Sequence, residues 1–344
     1  MTTSVSRRIV MAAISTAVLA GLSAGPAGAK DYYKLSTLGP GSSPYLVMST
    51  FANIVNQAHP DMEVQVNATG AATAHALETA RGKMDFFMSS PTVQGFMIEG
   101  TAMYAKITDA PELSKNLRSV FNFPLGYYHI VVYADSGITN LEQIKGKRVF
   151  LGPPGGGATN TMAQLMKLTT GYEPGKDFEQ INLGWEAAAQ SFQDKHIDVY
   201  MNPTLPPSPV IQQFALTSKI RLLGLTEKQM ASDEFKAFSS RPGGVLDQIP
   251  AAIYGENQVN KEDVTTIGSI VGIGTRKDMP DEVIYKMTKA FWEGAAKQRD
   301  KTPWLRAVRI ENVFREMSNM PLHPGAARYY KEVGMTIPAG LMPQ

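Results

Sequence analysis

Gly152-Pro-Pro-Gly-Gly-Gly157 follows a strand-like run, Arg148 to Leu151, and precedes a helical pattern that opens near Ala158. Glycines at such a junction let backbone N–H groups approach a ligand, and the helix start adds partial positive charge. Gly155, Gly156, Gly157, Ala158 and Thr159 are therefore candidate anion-holding residues that need no charged side chain. Three consecutive glycines exceed what a plain turn requires. The run continues as Ala158-Thr159 rather than Lys-Ser/Thr, so it is not a P-loop. Asn160 stands where the dinucleotide pattern G-x-G-x-x-G needs its last glycine.

Two further loops of small residues open helical patterns. Gly39-Pro-Gly-Ser-Ser-Pro44 offers Ser42 and Ser43, with Tyr45 just inside the helix. Thr69-Gly-Ala-Ala-Thr-Ala-His75 offers Thr69, Gly70, Thr73 and His75. Ser89, Ser90, Asn202 and Pro203 read as lying just after strands. In open α/β sheets ligands sit outside the carboxyl ends of strands, so these loops are expected to converge on one cleft.

Signs of catalysis are absent from the sequence. The five histidines, His59, His75, His129, His196 and His323, have no metal-ligand spacing, and there is no cysteine. No H-E-x-x-H occurs, and no G-x-S-x-G occurs after residue 29. Asp281-Glu282 sits at a predicted helix start, where acids complement the dipole. The expectation is a protein that holds a small organic anion without transforming it, with neither metal nor cofactor.

The elements that position these loops alternate. Strands are predicted at Tyr32–Ser36, Met62–Asn67, Met84–Ser89, Tyr128–Ala134, 148–151, Ile197–Met201, Arg221–Leu225 and Ile267–Thr275. Helices are predicted at Tyr45–Gln57, Ala71–Arg81, Thr159–Thr170, Gly184–Lys195, Pro280–Gln298 and Trp304–Met317. Strand-loop-helix repetition implies a mostly parallel sheet with helices on its faces. The 18 methionines read as core filler.

Residues 1–29 read as a secretory signal: Arg7 and Arg8, an apolar run from Ile9 to Leu22, then Ala27-Gly-Ala29. Cleavage is expected between Ala29 and Lys30. It lowers Lys plus Arg from 33 to 31, equal to the 31 Asp plus Glu. A formally neutral mature chain gives no electrostatic reason to bind nucleic acid or a polybasic-seeking membrane surface. The remaining length suits two lobes.

Thr69-Gly70, Gly82-Lys-Met-Asp85, Ser136-Gly-Ile138, Ile144-Lys-Gly-Lys-Arg-Val149, Gly152-Pro-Pro-Gly155 and Leu322-His-Pro-Gly-Ala-Ala-Arg-Tyr-Tyr330 occur in that order. Together they resemble the TAXI-type solute-binding proteins of tripartite ATP-independent periplasmic (TRAP) transporters. The resemblance implies an α/β, two-lobe periplasmic-binding-protein fold of type II with a cleft between the lobes. Lobe one is expected to hold residues 31–130 and 262–344, lobe two 131–261. It further implies a carboxylate or amino-acid-like anion delivered to membrane permease subunits, small and large or fused. The location implied is the periplasm of a Gram-negative bacterium. A periplasmic partner that presents a ligand to a membrane receptor, or an enzyme on the same fold, are the alternatives. The family pattern has Asn where this chain has His75, Ser where it has Ala72 and Gly156, and Thr where it has Ala158. These differences suggest a roomier pocket and a larger carboxylate, with His75 on a second polar group. The opposing reading leaves His75 on the solvated edge of its helix.

Overall fold

Strands and helices alternate along most of the chain in the computed structural model, which describes residues 30–317 and 319–343. The signal segment 1–29, with Ala29, lies outside the described residues. The first half runs β1 (Asp31–Ser36), α1 (Ser43–Ala58), β2 (Met62–Asn67), α2 (Ala72–Ala80), β3 (Phe86–Ser89), α3 (Pro91–Glu99) and α4 (Ala110–Ser114). A long strand, β4 (Leu117–Tyr133), leads to β5 (Arg148–Phe150), α5 (Gly157–Thr170), β6 (Glu179–Gln180) and α6 (Trp185–Gln193). Then follow β7 (Val199–Thr204), α7 (Pro209–Thr217), β8 (Ile220–Leu222), α8 (Glu227–Met230), α9 (Asp233–Ser239) and β9 (Gly244–Ile249). A second long strand, β10 (Val264–Arg276), precedes α10 (Asp281–Gln298) and α11 (Pro324–Glu332).

The strands form one sheet in the order β2-β1-β3-β10-β4-β7-β5-β6, with β8 on β4 and β9 on β10. Its two ends are parallel: β2-β1-β3 on one side, and β7-β5-β6 on the other. Its centre is antiparallel, because β10 pairs β3, β4 and β9 while β4 pairs β7 and β8. The expected mostly parallel sheet is thus corrected to a mixed one. β4 and β10, 17 and 13 residues long, lie antiparallel side by side between the two parallel ends. The predicted helix Trp304–Met317 is also corrected: short 3-10 turns at Pro303–Ala307 and Ile310–Asn312 replace it.

Apolar residues pack on both sides of this central pair. Phe51, Phe121, Phe291 and Trp292 fill the core beneath α1 and α10, with Phe121 stacked on Phe291 at 4.6 Å. Met162, Leu165 and Met166 of α5 pack on Ile130, Val149 and Val199, and Phe150, Phe192, Tyr200 and Phe214 fill the opposite face. The Leu322–Tyr330 motif belongs to this packing. Tyr330 donates to the Val120 carbonyl at 2.9 Å and accepts from Trp292 at 3.2 Å. A side chain at Gly325 would stand 2.2 Å from the Asp281 carbonyl, so glycine sets the approach of α11 to α10. Among the described residues no helix is long and apolar enough to cross a membrane.

His129 is fully buried where β4 meets β7. Its Nδ1–H donates to the Tyr127 carbonyl at 2.8 Å, and its Nε2 accepts from the Tyr254 hydroxyl at 2.7 Å. Burial lowers its pKa to about 4, against the opposing effect of its backbone bonds. The native state therefore holds His129 neutral, while the unfolded chain takes up a proton near pH 6.5. Stability is full above that value and falls as pH drops towards 4, by about 3 kcal/mol across the window. Urea unfolding between pH 7.5 and pH 4.5 measures this, and His129→Gln is expected to flatten the profile. An equally steep profile in the variant would assign the acid sensitivity to other groups.

Candidate functional site

Five helices begin around one cavity of about 850 Å³. The residues that precede them, Ser42 (α1), Ala71 (α2), Ser90 (α3), Gly156 (α5) and Gly184 (α6), all line it. Ser42 and Ser90 cap their own helices, accepting from Tyr45 N–H at 3.4 Å and Val93 N–H at 3.5 Å. Ala71, Gly156 and Gly184 supply no side-chain cap. The first-turn N–H groups of those helices have no intrahelical partner, and five positive helix ends converge on one space.

Arg241 supplies the charge that the sequence reading lacked. It stands in the short link between α9 and β9, where Pro242 and Gly243 turn the chain. Its guanidinium lies over the Phe238 ring, 4.3 Å from the centroid, and donates to Thr161 Oγ1 at 2.9 Å and Gln164 Oε1 at 3.0 Å. Burial lowers its pKa, opposed by the nearby Tyr128. Among the described residues it forms no ion pair, and it is the only charged side chain in the cavity wall. A guanidinium has five N–H donors, so donors remain for a ligand. Burial raises the Tyr128 phenol, opposed by the neighbouring Thr161 and Ser269 hydroxyls and by the charge of Arg241.

The structure divides the sequence-predicted residues. Ser42, Thr69, Gly70, Ser90, Gly156, Gly157, Ala158 and Pro203 line the cavity. Ser43, Tyr45, Thr73, His75, Ser89, Gly155, Thr159 and Asn202 do not. The reasons are local. Ser43 turns inward, near Thr204 Oγ1 at 3.1 Å, and accepts from Leu205 N–H at 2.9 Å. Thr159 donates to the Pro153 carbonyl at 2.6 Å and so closes the glycine loop. Asn202 and Pro203 lie inside β7 rather than after it, and Asn202 donates to the Gly41 carbonyl and the Tyr200 hydroxyl. Ser89 is buried at the end of β3, Gly155 points outward, and the Thr73 carbonyl accepts from Tyr104. Tyr45 is half-buried on α1.

His75 is corrected in both of its readings. It is neither in the cavity nor on a solvated edge, but 2% exposed, with Nε2 at 2.5 Å from the Thr69 carbonyl. Burial lowers its pKa, against the Thr69 carbonyl, which raises it. The ring fixes the Thr69-Gly70 turn, and that turn does reach the cavity.

The sequence reading missed the apolar wall: Leu38, Met88, Val93, Phe96, Met103, Leu125 and Val271. No spacing rule joins them. Arg241 had one faint signal, the turn-forming Ser239-Ser-Arg-Pro-Gly-Gly244, which is another loop of small residues.

A periplasmic transporter structure is 16% identical, with 88% of this chain and 92% of that one covered and a TM-score of 0.51. A TRAP periplasmic solute-binding protein from Sulfitobacter sp. NAS-14.1, with bound β-D-galacturonate, is 11% identical over 88% and 94% of the two chains, TM-score 0.46. The alkanesulfonate-binding protein SsuA from Xanthomonas axonopodis pv. citri, bound to MOPS, is 14% identical over 92% and 87%, TM-score 0.46. At such identities the likeness is one of fold, here an α/β periplasmic-binding architecture. Residues 35–334 match the model of the NMT1-like family, and the chain belongs to that family.

Proposed function

We propose that the protein is the periplasmic solute-binding component of a transporter and captures a small organic anion in the cavity lined by Arg241. The observation that carries this is the convergence of five helix N-termini and one unpaired guanidinium on a space with no acidic side chain among the described residues. A fold shared with a periplasmic transporter structure supports it, as does the signal-like segment 1–29. The finer reading is a TAXI-type TRAP receptor, which hands its ligand to the permease after secretion and signal removal. It rests on the motif order from Thr69 to Tyr330. In this reading the lobes are 31–130 with 262–344, and 131–261, and β4 and β10 form the crossovers between them.

The test is thermal unfolding of the secreted form against carboxylates, sulfonates and inorganic phosphate. A ligand present at a hundred times its Kd is expected to add about 2.7 kcal/mol of stability. Stabilisation by one class of anion and not by its uncharged analogue is the expected result. If no anion stabilises the protein, or if cations do so instead, this reading fails.

A further inference from the structure

We infer that the cavity selects an organic monoanion that has a sizeable apolar body and no ammonium group. This deepens the reading just given and rests on it. Three observations carry it, and the first is charge. Arg241 is the single charged residue of the wall, so one acidic head can be matched by a full counter-charge and a second cannot. Second, an ammonium group would find no carboxylate here. It would instead face the positive ends of α1, α2, α3, α5 and α6. Amino acids and amines are therefore disfavoured by the site itself, which departs from what the family resemblance implies.

Third, much of the wall is apolar. The polar side chains around Arg241 come from α5, β4 and β10: Asn160, Thr161 and Gln164, with Tyr128 and Ser269. β3, α3 and the turn beyond contribute Met88, Val93, Phe96 and Met103, and the long strands add Leu125 and Val271. Ser90 and Thr92 at the start of α3 are polar, with Thr92 donating to the Pro242 carbonyl at 2.7 Å, and Val93 stands beside Gly157, so the apolar stretch away from Arg241 is Met88, Phe96 and Met103. A carboxylate would take the Arg241 guanidinium and the free N–H groups at Gly157 and Ala158. The body of the ligand would then lie along Phe96, Met88 and Met103. Methionine is unbranched and adaptable, so this wall suits a flexible chain or a flat ring. A space of about 850 Å³ is far larger than a four-carbon acid requires and falls among pockets that enclose drug-sized ligands.

The experiment is calorimetric titration of the secreted form with a homologous series: butanoate, hexanoate, octanoate and phenylpropanoate, beside succinate, glutamate and inorganic phosphate. Each buried methylene is worth about 0.8 kcal/mol, so affinity is expected to rise about fourfold per carbon until the apolar wall is covered. Succinate and glutamate are expected to bind more weakly than octanoate. In Phe96→Asn the rise in affinity from butanoate to octanoate is expected to be smaller than in the native protein. If succinate or glutamate binds tightest, or affinity is flat along the series, the inference is overturned while anion capture stands. If none of the seven binds, this inference falls, and anion capture falls with it if the sulfonates of the unfolding screen also fail to stabilise the protein. An unchanged slope in Phe96→Asn overturns the placement of the apolar body.

Discussion

Replacing Arg241 by Gln weakens binding of an organic anion by roughly 10- to 150-fold, the effect of losing one charge-assisted hydrogen-bonding partner worth about 1.5–3 kcal/mol. The structure argues for a loss in binding rather than in folding. Burial already disfavours the charged guanidinium, and its protein partners, Thr161 and Gln164, are neutral. Gln at this position keeps a polar tip and removes the charge. Its unfolding midpoint without ligand is expected to stay near that of the native protein. Arg241→Lys should recover part of the affinity, since an ammonium restores the charge but cannot bond Thr161, Gln164 and a carboxylate in one plane. Calorimetry on the three proteins separates the cases. Equal affinity in all three would remove Arg241 from the site and leave only helix N-termini to hold the anion. The glycine loop makes a weaker experiment. A side chain at Gly156 would stand 3.1 Å from the Pro153 carbonyl, so a bulky substitution there disturbs the loop as well as the cavity.

The parts of the site that could be read from sequence were those fixed by local chemistry. The start of α1 was legible because Ser42 and Pro44 carry a cap and a first-turn proline. The end of α5 was legible because Gly171 takes the left-handed conformation after the last apolar residue. His75 was misread although its helix stated the answer. Ala72, His75, Ala76 and Thr79 are all buried, and their spacing of three and four marks one inward face. The mistake was to let a polar side chain outweigh that period. Asn202-Pro203 reads as lying just after the strand Ile197–Met201, yet Pro203 pairs with Tyr128 inside β7. Arg241 could not be found this way. It meets Thr161 across 80 residues of chain, and only the docking of α9 beside α5 brings them together. The same holds for the antiparallel centre of the sheet. Nothing within Tyr128–Ala134 announces that the strand starts at Leu117, because Pro124 and Gly126 interrupt its apolar pattern.

Gly126→Ala is expected to destabilise the protein by about 3–5 kcal/mol, combining the cost of a forced left-handed backbone with that of overpacking. Gly126 has φ +116°, and an added Cβ would stand 2.1 Å from both the carbonyl carbon and oxygen of Thr204. Those are backbone atoms of β7, so no side-chain rotation relieves the clash. The position is where β4 changes register against β10, since Ser269 pairs with Gly126 but Ile270 with Pro124. One residue is squeezed out of the ladder there, and β4 presses on the end of β7. That end carries Pro203 of the cavity wall and Thr204, which donates to the Ser208 hydroxyl at 3.0 Å and meets Ser43 at the start of α1. A displacement at Gly126 would thus reach the site as well as the fold. Gly137→Ala provides the control. Gly137 has φ +74°, but an added Cβ would meet nothing within 4 Å, so it should cost only about 1 kcal/mol. Urea unfolding of both variants reads the difference between them, which isolates the clash from the backbone preference. Equal costs would mean that β7 yields freely at Thr204, and the junction of β4, β7 and β10 would then be a soft joint rather than a fixed one.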